Sequence, residues 1–357
     1  MKLLSWDRFT IKKIRSGYYS AVYFNRTKEI LLKEKKLDTV TMQIFQKNDD
    51  ALLCGISHVI ELLKIGTGYF ENGKWISKWN TLKINALFDG DKTSKGEPVI
   101  HISGPYVFFA HLESLYLGIL ARETRIATNA RNMVASANGK PVIFFADRFD
   151  YFLNQELDGY ASQIGGVSAV CTAAQAKLIG SLPVGTIPHA LIAINKGKIN
   201  DAAESFRNVF PKDNLVALVD FDNDCVKTSL VAARQFGKKL WGVRLDTAEN
   251  MVDKSLQKLT EQKNELHGVN PTLVKMVREA LDRQNFQHVK IIVSGGFNND
   301  KIKWFESQKS SVDTYAVGSS MLEGKNDFTA DIVVVKGREI AKVGRGIKRN
   351  SRLKPIQ

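Results

Sequence analysis

The stretch VRLD (243–246) sets a guanidinium and a carboxylate two residues apart. On an extended segment residues i and i+2 share a face, so Arg244 and Asp246 can address one ligand. Arginine offers planar recognition of a carboxylate or phosphate. Aspartate suits sugar hydroxyls or a hydrated magnesium ion. The bland alternative is a structural ion pair. VSGG (293–296) and AVGSS (316–320) each close an apolar run with small residues, which let backbone N–H groups approach a phosphate. One such loop would be only a turn; two on neighbouring late strands match the place where α/β barrels hold phosphate. The chain has neither a GxxxxGK[ST] loop nor a GxGxxG fingerprint, which disfavours those nucleotide folds.

PVGTIPHALIAI (183–194) places His189, one of six histidines, directly after a proline at the mouth of an apolar run. One reading is a core histidine with both ring nitrogens satisfied; the other is a reactive imidazole. Asp220 follows the apolar run LVALV and is expected to be partly buried, so it needs a partner. A carboxylate that orients an imidazole fixes its tautomer and raises its basicity. His189 and Asp220 fall on consecutive βα units, within reach of each other.

The elements that must position these residues follow from the apolar runs. PVIFFA (141–146), LVALVD (215–220), LWGVRLD (240–246) and VKIIVSGG (289–296) read as buried strands, with VDTYAVGSS (312–320) less purely apolar. Amphipathic stretches such as DCVKTSLVAARQFGKK and NPTLVKMVREALDRQN lie between them, so the pattern is βα units on a parallel sheet. The strands finish in Asp147-Arg148, Asp220, Arg244 to Asp246, Ser294 to Gly296 and Gly318 to Ser320. Polar and glycine residues at the C-terminal ends of successive parallel strands are where an α/β barrel assembles its site. The first hundred residues differ: TVTMQIF, TLKINALFDG and EPVIHISG suit an antiparallel sheet. A long helical stretch, FFAHLESLYLGILARETRIATNARNMVA, leads to the barrel. After Asp331 the strand-like IVVVKGREIAKVGRG, with a hairpin turn at Lys336-Gly337, is expected to return to the N-terminal sheet.

The totals narrow the partners. The 357 residues fit two domains, or one large barrel with an appendage. With 44% hydrophobic and 25% charged residues, the composition is that of a globular chain rather than a disordered one. No apolar run reaches the roughly 18–20 residues of a spanning helix, and the N-terminus lacks a secretory apolar core. Cys54, Cys171 and Cys225 are isolated, so neither a disulfide framework nor a thiolate zinc site is indicated and a cytoplasmic location is expected. The net charge of +14 asks for an anionic partner: nucleic acid, a membrane surface or a phosphorylated small molecule. Its lysines are spread along the chain without interleaved aromatics, as on a solvated surface.

GTIPHALI, followed by LVALVDFD, GVRLDT, VSGG, AVGSSM and DFTADIV, is similar to the nicotinate phosphoribosyltransferase family, closest to its short form. VYFNRT (22–27) resembles the family's N-terminal signature, and LESLYLGILARETRIAT resembles the related quinolinate phosphoribosyltransferases. The resemblance implies an α/β fold: an incomplete α/β barrel, residues 117–325, with a split open α/β sandwich domain, residues 1–116 plus 326–357. It implies condensation of nicotinate with phosphoribosyl pyrophosphate to nicotinate mononucleotide and pyrophosphate, in NAD biosynthesis. Mg²⁺ and coupling to ATP through a phosphorylated histidine are implied with it.

Carried over motif by motif, His189 would accept the phosphoryl group and Asp220 would orient it. Tyr23 and Phe145 would sandwich the base, with Arg148, Ser168 and Arg244 around it. Asp246 would serve the ribose hydroxyls or metal, and Ser294, Gly295, Gly296, Gly318 and Ser319 the 5′-phosphate. Tyr23 would reach a neighbouring protomer's site, so a homodimer with shared sites is implied. Where many members carry an arginine pair, this chain reads FADRFD, with Asp147 in place of the first arginine, which opens the base preference. No cysteine follows Cys225, so the C-terminal zinc cluster of some short members is not expected. The alternatives are the same transfer onto nicotinamide or quinolinate, and a weak homologue that binds phosphoribosyl ligands or nucleic acid. Quinolinate enzymes need additional cations for a second carboxylate, and GTIPHALI matches their basic strand poorly.

Overall fold

The computed structural model of the chain describes residues 6–185, 187–257, 259 and 266–357. Thr186 of the GTIPHALI stretch lies outside the described residues. The N-terminal part contributes three helices, α1 (Arg8–Arg15), α2 (Val22–Lys33) and α3 (Ile56–Gly66), and the strands β1 (Thr39–Gln46), β2 (Lys83–Ala86) and β3 (Pro98–Pro105). Asp7 starts α1 by accepting the Thr10 N–H at 2.9 Å. Sheet texture dominates the sequence of this part, and the helices at 8–33 were not foreseen in it; VYFNRT forms the first half of α2.

The long helix α4 (Glu113–Ser136) leads into the parallel part. There follow β4 (Val142–Phe144), α5 (Gln155–Ile164), β5 (Ala169–Val170), α6 (His189–Ile194), α7 (Ile199–Val209), β6 (Leu215–Leu218), α8 (Cys225–Phe236), β7 (Leu240–Leu245), α9 (Pro271–Arg283), β8 (Lys290–Val293), α10 (Asn299–Ser307) and β9 (Thr314–Val317). The chain ends with β10 (Phe328–Val335), β11 (Arg338–Glu339) and β12 (Lys354–Pro355).

Two six-stranded sheets organise these elements. The first is ordered β11-β10-β1-β3-β2-β12, and its pairings are antiparallel. Strand β10 lies beside β1 in the register Ile44↔Ala330, as expected for a returning tail. Lys336 and Gly337 both take positive φ, 49° and 76°, and turn β10 into β11. The second sheet is parallel, in the order β6-β7-β8-β9-β4-β5. Strands β5 and β6 are its two edges, so the sheet curls into a half-barrel. The stretch after Leu182 is tied to one edge by the Val184 N–H, which donates to Val170 O at 2.8 Å.

Two apolar cores match the two sheets. Ile44, Leu53, Ile84 and Ile102 pack with Tyr116 and Leu120 of α4 on one side. Val243, Val293, Val317 and Phe144 pack with the outer helices and with Ile126 and Met133 of α4 on the other. Fully burying each aliphatic side chain of this size is worth about 1.5–3 kcal/mol. The division between cores thus falls within α4, and so does the boundary expected at 116/117. On the other face of the parallel sheet Val216, Ile292 and Ala316 form a small buried cluster, against which Phe145 packs.

A dense polar group sits where α3 meets α4. His58 Nδ1 lies 2.9 and 2.8 Å from the two Glu123 carboxylate oxygens. Both residues are buried, at 2% and 0% exposure. The Cys54 thiol contacts Glu123 Oε2 at 3.7 Å. Next to it, Asp89 accepts from the Ile56 N–H and from the Tyr160 hydroxyl, each at 2.7 Å, linking α3 to α5.

Candidate active site

The C-terminal ends of β4, β5, β7, β8 and β9 open onto one cleft of about 290 Å³. Phe145, Arg148, Arg244, Asp246, Ser294, Gly295, Gly296, Gly318 and Ser319 all line it, so most of the expected site residues converge. The alternation of β7 explains the first pair: Val243 and Leu245 turn to the outer core, which leaves Arg244 and Asp246 facing the cleft.

Arg244 is the most constrained of these groups. Its guanidinium carbon lies 5.9 Å from the Phe145 ring centroid, and its Nη2 is 3.9 Å from Asp246 Oδ2. The side chain is 12% exposed, and its Nε has no hydrogen-bond partner among the described residues. Burial weakens its hold on the proton, a tendency that Asp246 and Asp220 oppose. A buried guanidinium with an unspent donor is built to meet an anion or a carbonyl.

Ser294, expected among the phosphate ligands, instead donates its hydroxyl to Asp246 Oδ1 at 2.7 Å. That bond fixes the Asp246 carboxylate. Gly295 and Gly296 follow with φ of 85° and 63°, a backbone conformation that residues other than glycine rarely adopt. Neither glycine's N–H has a backbone acceptor among the described residues, and both residues line the cleft. Gly318 faces the loop after β4: a Cβ there would collide with the Phe149 ring.

His189 is the first residue of α6, behind the extended Pro188, which lines the cleft. Its Nε2 is 3.1 and 3.0 Å from the two Asp220 oxygens. The imidazole is 46% exposed and the carboxylate 8%. Burial raises the Asp220 pKa; His189 opposes this and nearby Asp246 adds to it. With Nε2–H given to Asp220, a neutral imidazole keeps its lone pair on Nδ1.

Four expected residues do not line the cleft of their own chain: His189 and Asp220, next to the lining residue Pro188, and Tyr23 and Ser168 farther off. Tyr23 stands on α2, 64% exposed, with Phe24 as its ring neighbour at 4.3 Å. Ser168 lies at the opposite end of the sheet: it precedes β5, and its N–H donates to Val142 O at the start of β4. The base-binding role carried over to Ser168 is therefore corrected: strand polarity aims this end of β5 away from the cleft.

Residues not singled out from the sequence also line the cleft, notably Phe149 and Cys171. Cys171 directly follows β5, a strand of two residues, too short to register as an apolar run. Burial and Asp147 push its thiol up to about 12. The Gln175 side chain ties the strand ends together, donating to Ala146 O at 3.3 Å and accepting from the Cys171 and Thr172 N–H groups at 3.1 and 3.2 Å. Arg122 anchors the loop after β4 through Asp150 at 2.9 Å, while gripping Asp158 at 2.8 Å. No cluster of three or more His, Cys, Asp or Glu suited to a metal ion occurs among the described residues.

Comparison with known proteins now has a geometry to meet. Residues 21–124 match the N-terminal domain, and residues 126–326 the C-terminal domain, of quinolinate phosphoribosyl transferase. The chain belongs to this family. Nicotinate phosphoribosyltransferase pncB1 of Mycobacterium tuberculosis is 28% identical over 257 residues, covering 70% of this chain and 52% of that protein. A nicotinate phosphoribosyltransferase of Bacillus subtilis is 23% identical over 244 residues, 66% of this chain and 45% of that one. The chain thus spans about half the length of these curated relatives. Among solved structures, nicotinate-nucleotide pyrophosphorylase from Pyrococcus furiosus superposes with a TM-score of 0.80 at 30% identity, covering 98% of this chain and 82% of that one. Human nicotinic acid phosphoribosyltransferase, with a TM-score of 0.67 at 15% identity over 90% of this chain and 75% of that one, shares the fold. Within the family's two-domain plan, the cleft at the strand ends belongs to the parallel sheet. No described helix is long and apolar enough to cross a membrane.

Proposed function

We propose that the chain is a nicotinate phosphoribosyltransferase, joining nicotinate to phosphoribosyl pyrophosphate and releasing pyrophosphate. The observation that carries this reading is Arg244: a largely buried guanidinium with a donor unpartnered among the described residues, beside the Phe145 ring and in one cleft with the Gly295-Gly296 loop. An aromatic face, a cation and a phosphate cradle in one small space suit a planar anionic base meeting a phosphorylated sugar. The names of the Mycobacterium and Bacillus relatives support the same base.

In this reading Phe145 stacks on the pyridine ring, and Arg244 with Arg148 holds its carboxylate. Gly295, Gly296, Gly318 and Ser319 bind the 5′-phosphate, and Asp246, fixed by Ser294, takes the ribose hydroxyls. The ring nitrogen then attacks the anomeric carbon as its bond to pyrophosphate oxygen breaks. Holding both partners in near-attack geometry is the main catalytic term. Asp220 and Asp246 are hard oxygen donors that fit Mg²⁺ carried in on the substrate's phosphates, where the ion would neutralise the departing charge.

His189 is the proposed site of ATP coupling. Nδ1 attacks the γ-phosphorus, the bond from that phosphorus to the bridging oxygen breaks, and ADP departs. Asp220 holds the Nε2 proton and stabilises the charge gained by the ring. Tyr23, exposed on α2, is available to cover the base in the site of a second copy, which makes the working unit a homodimer. The partners are small molecules, and the +14 charge serves their phosphates.

A second reading, transfer onto quinolinate with decarboxylation, is favoured by the family models that match the chain. Against it stands Asp147, a carboxylate lining the cleft beside Arg148 where a second substrate carboxylate would need a cation. Steady-state turnover with nicotinate, nicotinamide and quinolinate, each with and without ATP, tests the proposal. Nicotinate is expected to give the highest kcat/KM; a better rate with either other base overturns it.

A further inference from the structure

The exits of β4 and β5 are joined by side chains where the backbone ladder between them stops. The two strands pair at only two positions, Ile143↔Ala169 and Phe144↔Val170. Beyond these, no backbone hydrogen bond joins residues 145–148 to residues 171–172 among the described residues. Gln175 fills the gap. Its carbonyl oxygen accepts from the Cys171 and Thr172 N–H groups at 3.1 and 3.2 Å and from the Cys171 thiol at 3.4 Å. Its amide nitrogen donates to Ala146 O at 3.3 Å. A side-chain amide thus makes the bonds a peptide group would make, while the strand ends stand an amide's width apart. Gln175 is 0% exposed, and α5 presses on its backbone so closely that a Cβ on Gly159 would fall on the Gln175 carbonyl. A second glutamine closes the circuit. The Thr172 hydroxyl accepts from the Gln175 N–H at 3.1 Å and donates to Gln155 Oε1 at 2.9 Å, and Gln155 Nε2 donates to Asp147 O at 2.8 Å. Two different amides therefore hold the carbonyls of two consecutive residues, Ala146 and Asp147. The next residue is Arg148, which is exposed and lines the cleft.

We infer that Gln175 is a positioning residue for the base site: by bridging the separated ends of β4 and β5, it fixes the backbone that aims Arg148 into the cleft. The inference rests on the role proposed above for Arg148 at the carboxylate of nicotinate. A long exposed side chain has many rotamers, so its reach toward a ligand depends on where its backbone is held. Without the amide, the Ala146 carbonyl and the Cys171 and Thr172 N–H groups lose their partner together, and the strand ends shift to repair the loss.

A double-mutant cycle in steady-state kinetics of the full chain tests this, with nicotinate and phosphoribosyl pyrophosphate varied in turn. Gln175→Met keeps the length of the side chain and removes both its donor and its acceptor. It is expected to raise KM for nicotinate about tenfold, with kcat and KM for phosphoribosyl pyrophosphate within about twofold of the unaltered chain. Gln155→Ala, at the more exposed end of the circuit, is expected to raise KM for nicotinate about threefold, and it carries the test if Gln175→Met fails to fold. In an Arg148→Ala background neither substitution should raise KM further, because a residue that acts through Arg148 has nothing left to position. Unaltered KM for nicotinate in the glutamine variants, or an increase that adds in full to that of Arg148→Ala, overturns the inference alone. If Arg148→Ala by itself leaves KM for nicotinate unaltered, or the unaltered chain does not use nicotinate, the reading of the base site falls and this inference with it.

Discussion

Two histidine–carboxylate pairs among the described residues have nearly equal geometry and opposite placement. His58 meets Glu123 at 2.8 Å with both side chains closed off from solvent, while His189 meets Asp220 at 3.0 Å with its ring half open. The first pair ties α3 to α4 and shares its carboxylate with the Cys54 thiol. The second stands beside the cleft residue Pro188, with no partner for Nδ1 among the described residues. Contact distance therefore does not separate a structural imidazole from one free to react; access to the second nitrogen does.

The most disruptive test of this contrast leaves both histidines alone. Arg244→Ala, at the centre of the cleft, is expected to lower kcat/KM for transfer by about 100-fold or more, near 3 kcal/mol, with folding stability moved by no more than about 1 kcal/mol. Steady-state kinetics beside denaturant titration reads both. Glu123→Ala is the counterpart: it strips a buried partner from His58 and is expected to cost about 3 kcal/mol of stability. The folded fraction should keep its turnover, and a loss of kcat with unchanged stability would reverse the assignment of that pair.

A gentler perturbation is pH. Burial by itself would lower the His58 pKa, but the bond to Glu123 and its charge outweigh burial and raise it. Burial likewise raises the Glu123 pKa against the pull of His58. Both groups hold their protons more tightly folded than unfolded. The His58 contribution is therefore complete below the ordinary histidine value, that of Glu123 below the ordinary carboxylate value, and each is lost as pH rises through its own raised value. Thermal midpoints should fall from about pH 6 to about pH 9 in the unaltered chain and fall less in His58→Gln. The smallest structural effect belongs to His189→Ala: stability within about 0.5 kcal/mol of the unaltered chain, residual transfer retained, and stimulation by ATP gone. ATP stimulation that survives the substitution would remove His189 from the coupling role.

What the sequence disclosed depended on how much local signal each element carries. The strands at 142–144, 215–218, 240–245, 290–293 and 314–317 are covered on both faces, so their aliphatic runs stand out, and their polar ends line the cleft together. The return of β10 to β1 was legible from the alternation after Asp331 and the Lys336-Gly337 turn. Ser168 was misread because a strand of two residues gives no periodicity from which to tell its entrance from its exit. Phe149 was missed because a loop aromatic has no pattern at all; only the collision it would make with a side chain at Gly318 reveals its place. Helix α2 has no buried residue, and its apolar residues cluster at its two ends, Val22 to Phe24 and Ile30 to Leu32, instead of forming the continuous stripe by which helices are recognised.

Helix α4 carries a consequence for how the molecule comes apart. Its 24 residues make a rod of about 36 Å, with Tyr116 and Leu120 set in one core and Ile126 and Met133 in the other. A chain with two cores joined by a loose linker melts in two steps, because either half can lose order while the other keeps its own. Here the span between the cores is a single unbroken helix, and fraying of either end strips a wall from the neighbouring half. Heating should give one calorimetric peak whose van't Hoff enthalpy matches the whole protein, with the rod as the mechanical reason for all-or-none melting.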